Sequence, residues 1–128
     1  MQLKILPSAF SVIKLDPAEA IPSWAVSDEF VSITKTDEEL SIVCPTENIP
    51  AEADISAAEH EWSCIKIEGV LDFSLTGILA SLANPLAENH ISIFALSTYN
   101  TDFLMVKSHA LKKAKEVLTA EGHSILSS

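Results

Sequence analysis

Between Trp62 and Lys107 the apolar residues change their period from two to about 3.6 and back to two, a succession that few folds accept. Trp62-Ser63-Cys64-Ile65-Lys66-Ile67-Glu68-Gly69 alternates as a strand does, with Ile65 and Ile67 on one side and Cys64, Lys66 and Glu68 on the other. Leu75, Ile78, Leu79, Leu82, Ala83 and Leu86 then form one helical stripe, with Ser74 or Asp72 as the expected cap. Pro85 removes the N–H that the Ser81 carbonyl would accept, so a kink or break is expected near Asn84. Asn89 and His90 reverse the chain, with Asn89 the residue suited to the left-handed conformation. Residues 91–98 read as a strand, Asn100-Thr101-Asp102 as a turn, and residues 103–107 as the returning strand.

A second amphipathic helix follows through Ala110, Leu111, Ala114, Val117 and Leu118, with Lys112, Lys113 and Lys115 outside and Gly122 as its stop. Ile125 and Leu126 complete a last short strand. Residues 62–126 therefore spell strand, helix, strand, strand, helix, strand, which is the split βαβ order of a ferredoxin-like sheet with both helices on one face.

The first half repeats this order more weakly. Residues 9–15 read as a strand ended by Asp16-Pro17, residues 22–26 as a short helix opened by proline, and residues 30–36 and 40–44 as a hairpin with an acidic tip. From residue 46 to 61 the chain is rich in Ala, Glu and Asp. That composition suits either a linker, with one short helix expected over residues 55–60, or the degenerate second helix of a first subdomain. Aligning Val43 with Val106 sets Glu39 opposite Asp102 and Thr34 opposite Ser97, which suggests an internal repeat. The expected domains are residues 1–60 and 61–128.

Charge narrows the function. Residues 1–60 carry 3 Lys against 11 Asp and Glu, residues 61–128 carry 5 against 7, and the net is -10 without a single arginine. A surface that neutralises phosphates needs Lys and Arg, so nucleic acid and anionic membranes are disfavoured as partners. No apolar run approaches the roughly 18 residues of a membrane helix, and the start of the chain does not read as a secretory signal, so a cytoplasmic location is expected. Cys44 and Cys64 lack the spacing of a zinc site and sit in strand patterns, so both are expected as free thiols. His60, His90, His109 and His123 show no spacing of a metal site or triad. Trp24 and Trp62 read as core or interface anchors. Neither a cofactor, a metal nor a catalytic residue is expected.

The run from Ile67 through Gly69, Asp72, Ser74 and Gly77 to Leu79, followed by Ile91 through Ser97, Thr98, Tyr99, Asn100 and Asp102 to Phe103, resembles the ACT domain. More narrowly it is similar to small stand-alone tandem-ACT proteins, related to the aspartokinase regulatory domain and the cytosolic arginine sensor. The resemblance implies an α+β fold of two ferredoxin-like βαββαβ subdomains in tandem, the first degenerate, with sheets side by side and helices on one face. It also implies a non-catalytic regulatory role: a free amino acid or similar small zwitterion held at an ACT–ACT interface, a homodimer, and a regulated partner protein. Carried over by position, Thr76, Gly77 and Ile78 present backbone amides to the ligand carboxylate. Thr98, Tyr99, Asn100 and Asp102 grip the rest, Asp102 accepting from an ammonium or guanidinium group. Thr101 stands where the sensor has an aromatic residue, and His90 where many relatives have glycine.

Without the resemblance, Asp102 reads as a turn former, Gly77 as a close-packing position, and Ser97 and Thr98 as edge-strand residues. A protein-interaction module with a decayed ligand site is the competing class.

Overall fold

The computed structural model describes residues 1–72 and 76–126. The chain divides into two compact units: Met1–Pro7 together with Ser63–Ser128, and Ser8–Trp62. Strand β1 (Gln2–Leu15) and strand β4 (Ala57–Ile67) contribute residues to both. The expected division at residues 60 and 61 makes two consecutive halves, whereas the first seven residues belong to the same compact unit as the later half.

In the larger unit β4 is followed by helix α1 (Ile78–Glu88), strands β5 (Phe94–Ser97) and β6 (Asp102–Lys107), helix α2 (Leu111–Ala120) and strand β7 (Ser124–Leu126). This is an α+β unit, its sheet largely antiparallel and ordered β7, β1, β4, β6, β5. Gln2, Leu3 and Lys4 pair in parallel with Ser124, Ile125 and Leu126, and Glu68 N–H donates to Gln2 O at 2.9 Å, so β1 lies between β7 and β4. Alternation along β4 and β6 aims Ile65, Ile67, Leu104 and Val106 at one face. There Leu82 and Leu86 of α1 and Ala114 and Leu118 of α2 bury against them in a single cluster. Cys64 and Met105, on the opposite face, are fully buried as well.

Local details depart from the periodicity. Helix α1 starts at Ile78 with Gly77, not Asp72 or Ser74, at its N-cap position, so the N-cap residue itself makes no side-chain cap bond; Ser74 and Leu75 lie outside the described residues. Nor does the helix break at Asn84: it runs through Pro85, which is buried, to Glu88, with only one backbone bond forfeited. At the reversal His90, with φ 60°, takes the left-handed conformation, and Asn89 stays at φ -99°, its side chain capping Pro85 O at 2.8 Å. The following strand is shorter than its apolar pattern, beginning at Phe94.

The smaller unit orders its strands β2 (Ser32–Lys35), β3 (Leu40–Pro45), β1, β4. Ile13, Leu15, Leu40, Ile42 and Cys44 share one face and pack with Ala25, Trp24 and Ile55. The helix expected at residues 22–26 is a single turn, closed by Ala25 N–H to Pro22 O at 3.1 Å. Beyond it Asn48 Nδ2 donates to Val26 O, and the Glu29 carboxylate accepts from the Ser8 amide and hydroxyl. Residues 57–60 are strand rather than helix. Pairing overrides their Ala and Glu content, and Ser11 Oγ bonds His60 Nδ1 at 2.7 Å.

The two hairpins correct the repeat alignment by one residue. Ser97 pairs with Asp102 around a four-residue loop, and Lys35 pairs with Leu40 around another. Thr98 N–H to Thr101 O at 2.9 Å matches Thr36 N–H to Glu39 O at 2.9 Å. Leu40, not Glu39, is therefore the counterpart of Asp102, because loop closure sets register more tightly than the hydrophobic pattern does.

Both cysteines are free and buried, and burial pushes the Cys44 thiol from 9.0 up to about 11. Near neutral pH, iodoacetamide is expected to leave Cys44 unmodified in the folded protein and to alkylate it in urea, read by peptide mass mapping. Because folding favours the neutral thiol, its contribution to stability is complete below 9.0 and is lost as pH rises through about 11, which denaturation midpoints across that window would register.

Candidate functional site

Where β4 ends, the chain turns through Gly69 and Leu71 and re-enters at α1, while the loop joining β5 to β6 closes over the same end of the sheet. Two short bonds fasten these loops together. Leu71 N–H donates to Asn100 O at 2.6 Å, and the hydroxyl of Thr101, itself only 4% exposed, donates to Ile67 O at 2.7 Å. Thr98 Oγ1 donates to Thr101 O at 3.1 Å and folds the loop on itself.

Between the loops lies a cleft of about 340 Å³. Six of the seven residues expected at the site line it: Gly77 and Ile78 on the helix side, and Thr98, Tyr99, Asn100 and Asp102 on the hairpin side. Thr76 is exposed and is not part of the lining. Leu71, Asp72, Leu79, Ser97 and Thr101 line it too. Of these, Ser97 could have been found from its place opposite Asp102 in a hairpin read with a four-residue loop, and Thr101 from being the polar residue that such a loop turns inward.

Gly77 has φ 74°, a conformation costly for residues with a Cβ, and a Cβ built there would meet nothing within 4 Å. Backbone conformation rather than close packing therefore calls for glycine. As an N-cap without a side chain it leaves the first amides of α1 uncapped: Ser81 N–H reaches Gly77 O at 3.0 Å, and the amides of Ile78, Leu79 and Ala80 precede the first helical bond. The partial positive charge of an 11-residue helix thus opens on one wall of the cleft. The other wall carries Asp102, whose Oδ1 accepts the Ser97 hydroxyl at 2.6 Å. Among the described lining residues only Asp72 and Asp102 are charged. The helix start therefore suits an anion and Asp102 a cation, while Asp72 adds a second negative charge to the lining. Among the described residues no three of His, Cys, Asp and Glu converge as metal ligands.

A sequence model described as ACT domain matches residues 57–120, and a model of an N-terminal domain matches residues 8–52. The human cytosolic arginine sensor for mTORC1 subunit 1 is 31% identical over 101 residues, spanning 73% of this chain and 31% of the sensor. Human CASTOR3P is 33% identical over 103 residues, and the match spans 73% of this chain and 63% of that protein. The chain thus covers less than two thirds of either relative. A crystal structure of an Agrobacterium tumefaciens protein superposes with a TM-score of 0.90 at 43% identity, covering 99% of this chain and 92% of that one. The ligand-free regulatory subunit of aspartate kinase from Thermus thermophilus shares the fold, with a TM-score of 0.62 at 10% identity over 92% of this chain and 97% of that subunit. The human sensor is named for arginine, and the aspartate kinase subunit is alike in fold alone.

The Thr101 bond should be separable from bulk. Thr101→Val keeps the volume but strands the Ile67 carbonyl, and is expected to cost about 1 to 3 kcal/mol in urea denaturation and to speed exchange of the Leu71 amide. Thr101→Ser, which keeps the donor, should fall well short of that loss.

Proposed function

Because the chain belongs to the ACT-domain family, we propose that it is a non-catalytic regulatory protein that binds a free amino acid or similar small zwitterion in the cleft between α1 and the β5–β6 hairpin. The observation that carries this reading is the convergence of an uncapped helix N-terminus and a carboxylate on opposite walls of one cleft. The ligand carboxylate docks on the amides of Ile78 and Leu79, where the helix dipole favours it and Gly77 raises no side chain in its path. Its cationic group docks on Asp102 through a charge-assisted bond. Thr98, Tyr99 and Asn100 supply the remaining contacts from the hairpin loop. Thr76 flanks the helix start and contributes through its backbone.

The finer arrangement follows the family pattern. The smaller unit is a degenerate ACT subdomain and the larger a complete one, in tandem. The working protein is a cytoplasmic homodimer with the ligand at an ACT–ACT interface, and it signals by changing its contacts with a regulated protein. Val70 and Tyr99, 75% and 79% exposed beside the cleft, are apolar surface of the kind an interface covers. The relative named as an arginine sensor supports an amino acid as the ligand class. No cofactor and no chemistry are assigned.

A thermal-unfolding screen against the twenty amino acids tests this directly. A ligand present at about 100 times its dissociation constant should add roughly 2.7 kcal/mol to stability. Asp102→Ala is expected to abolish that gain without lowering the stability of the free protein by more than about 1 kcal/mol, the range of a partly exposed polar contact. An unchanged unfolding curve with every amino acid would remove the sensor reading and leave a surface for protein contacts.

A further inference from the structure

Net charge is shared unequally between the two units. The smaller unit, Ser8–Trp62, carries 2 Lys against 12 Asp and Glu, net -10, while the 6 Lys and 6 Asp and Glu of the larger unit cancel, so the whole net charge of the chain sits on the smaller unit. That unit also ends in an open sheet margin. Strand β2 is outermost, paired with β3 on one side only, and its Ile33, Thr34 and Lys35 are exposed. We propose that β2 is a docking edge for a lysine- or arginine-rich segment of a partner protein, which joins the sheet as a further strand.

Ladder geometry decides which groups the edge offers. Thr36 N–H donates to Glu39 O across the loop, and from there hydrogen-bonded and non-bonded pairs alternate along the hairpin. Thr34 therefore spends its N–H and C=O on Ser41, while Ile33 and Lys35, opposite Ile42 and Leu40 in non-bonded pairs, turn theirs outward. The outward groups stand in a row spaced for an extended chain. Ile33 shares the core face with Ile42 and is nonetheless exposed, and so are Ile21 and Val26 in the segment that packs on that face through Trp24 and Ala25. Apolar side chains on one side of an incoming strand thus have surface to cover. Acid brackets the edge: Asp37, Glu38 and Glu39 follow β2 directly, exposed Asp28 precedes it, and together they outweigh Lys35. A second copy of the chain does not suit this margin, because two units of net -10 repel and an edge lysine guards against pairing of like edges. A basic segment meets the opposite field, which steers it to the edge.

The probe is a fluorophore-labelled octapeptide alternating Lys and Val, titrated against the full chain by fluorescence anisotropy, with a Glu–Val octapeptide and an alternately N-methylated Lys–Val octapeptide as controls. The Lys–Val peptide should bind about tenfold more tightly than either control, and about tenfold more tightly at low than at high salt, as a screened long-range attraction requires. Asp37→Lys combined with Glu38→Lys should weaken binding about tenfold, whereas the same charge reversal in the larger unit, Glu88→Lys combined with Glu121→Lys, should leave it within about twofold. Amide exchange then locates the complex: the peptide should slow Ile33 and Lys35 and leave Thr34, already bonded to β3, unmoved. The amino-acid cleft belongs to the larger unit, so its reading stands whatever these titrations give. No binding of the Lys–Val peptide overturns the docking edge, as does equal affinity for either control, equal weakening by the two double variants, or protection confined to another strand.

Discussion

The hydroxyl of Thr101 is the contact on which the cleft depends. It is buried where an unbonded hydroxyl would be costly, and it spends its proton on Ile67 O, the last carbonyl of β4. That single bond ties the β5–β6 loop to the end of the strand from which the chain departs toward α1. Leu71 N–H on Asn100 O adds a second tie one turn further along. With both made, the hairpin loop is held against the end of β4 and the first residues that follow it.

The same ties explain why polar residues gather at this end of the sheet. Helices α1 and α2 bury Leu82, Leu86, Ala114 and Leu118 against Ile65, Ile67, Leu104 and Val106, which fixes the helices on the sheet through apolar contact alone. The approach of α1 to the sheet end must then be made by a residue free of side-chain constraint. Gly77 at φ 74° does this, and the cost is a helix start without a cap. An unpaired helix start in a compact protein is normally remedied by a Ser, Thr, Asp or Asn at the N-cap. Here the amides face a cleft instead, so one conformational requirement yields both the bend in the chain and the anion-attracting wall.

How much of this was legible in the sequence depended on whether the signal was local. The stripes of α1 and α2 were readable because six and five apolar residues at helical spacing leave no competing period, and Gly122 stops α2 as its conformation demands. The partner of β7 was not readable: Ile125 and Leu126 pair with Leu3 and Lys4, residues more than a hundred positions away, and nothing in a three-residue strand names its neighbour. Residues 57–60 misled because Ala and Glu favour helix in isolation, and only pairing, with Ser11 on His60, makes them strand. His90 in place of Asn89 at the left-handed position is a miss of one residue, and it arises because Asn89 uses its side chain to cap the helix instead. Six of the seven expected site residues line the cleft since the hairpin and the helix start were both local features; Thr76 does not, and Ser97 was passed over because its partner depends on loop length.

That dependence on loop length reaches into the smaller unit. Its hairpin repeats the loop closely, with Thr36 in the place of Thr98 and the same amide-to-carbonyl closure at the same distance. Yet register sets Lys35 where Ser97 stands and Leu40 where Asp102 stands. Lys35 and Leu40 cannot form the hydroxyl–carboxylate pair, and the buried Leu40 serves the core formed with Ile13, Leu15 and Ile42. The single turn at residues 22–25 supplies no helix N-terminus either. A four-residue loop opened by threonine is thus a reusable scaffold whose geometry is indifferent to ligands. What distinguishes the larger unit is chemistry added at two register positions and one glycine, Ser97, Asp102 and Gly77, which the smaller unit lacks.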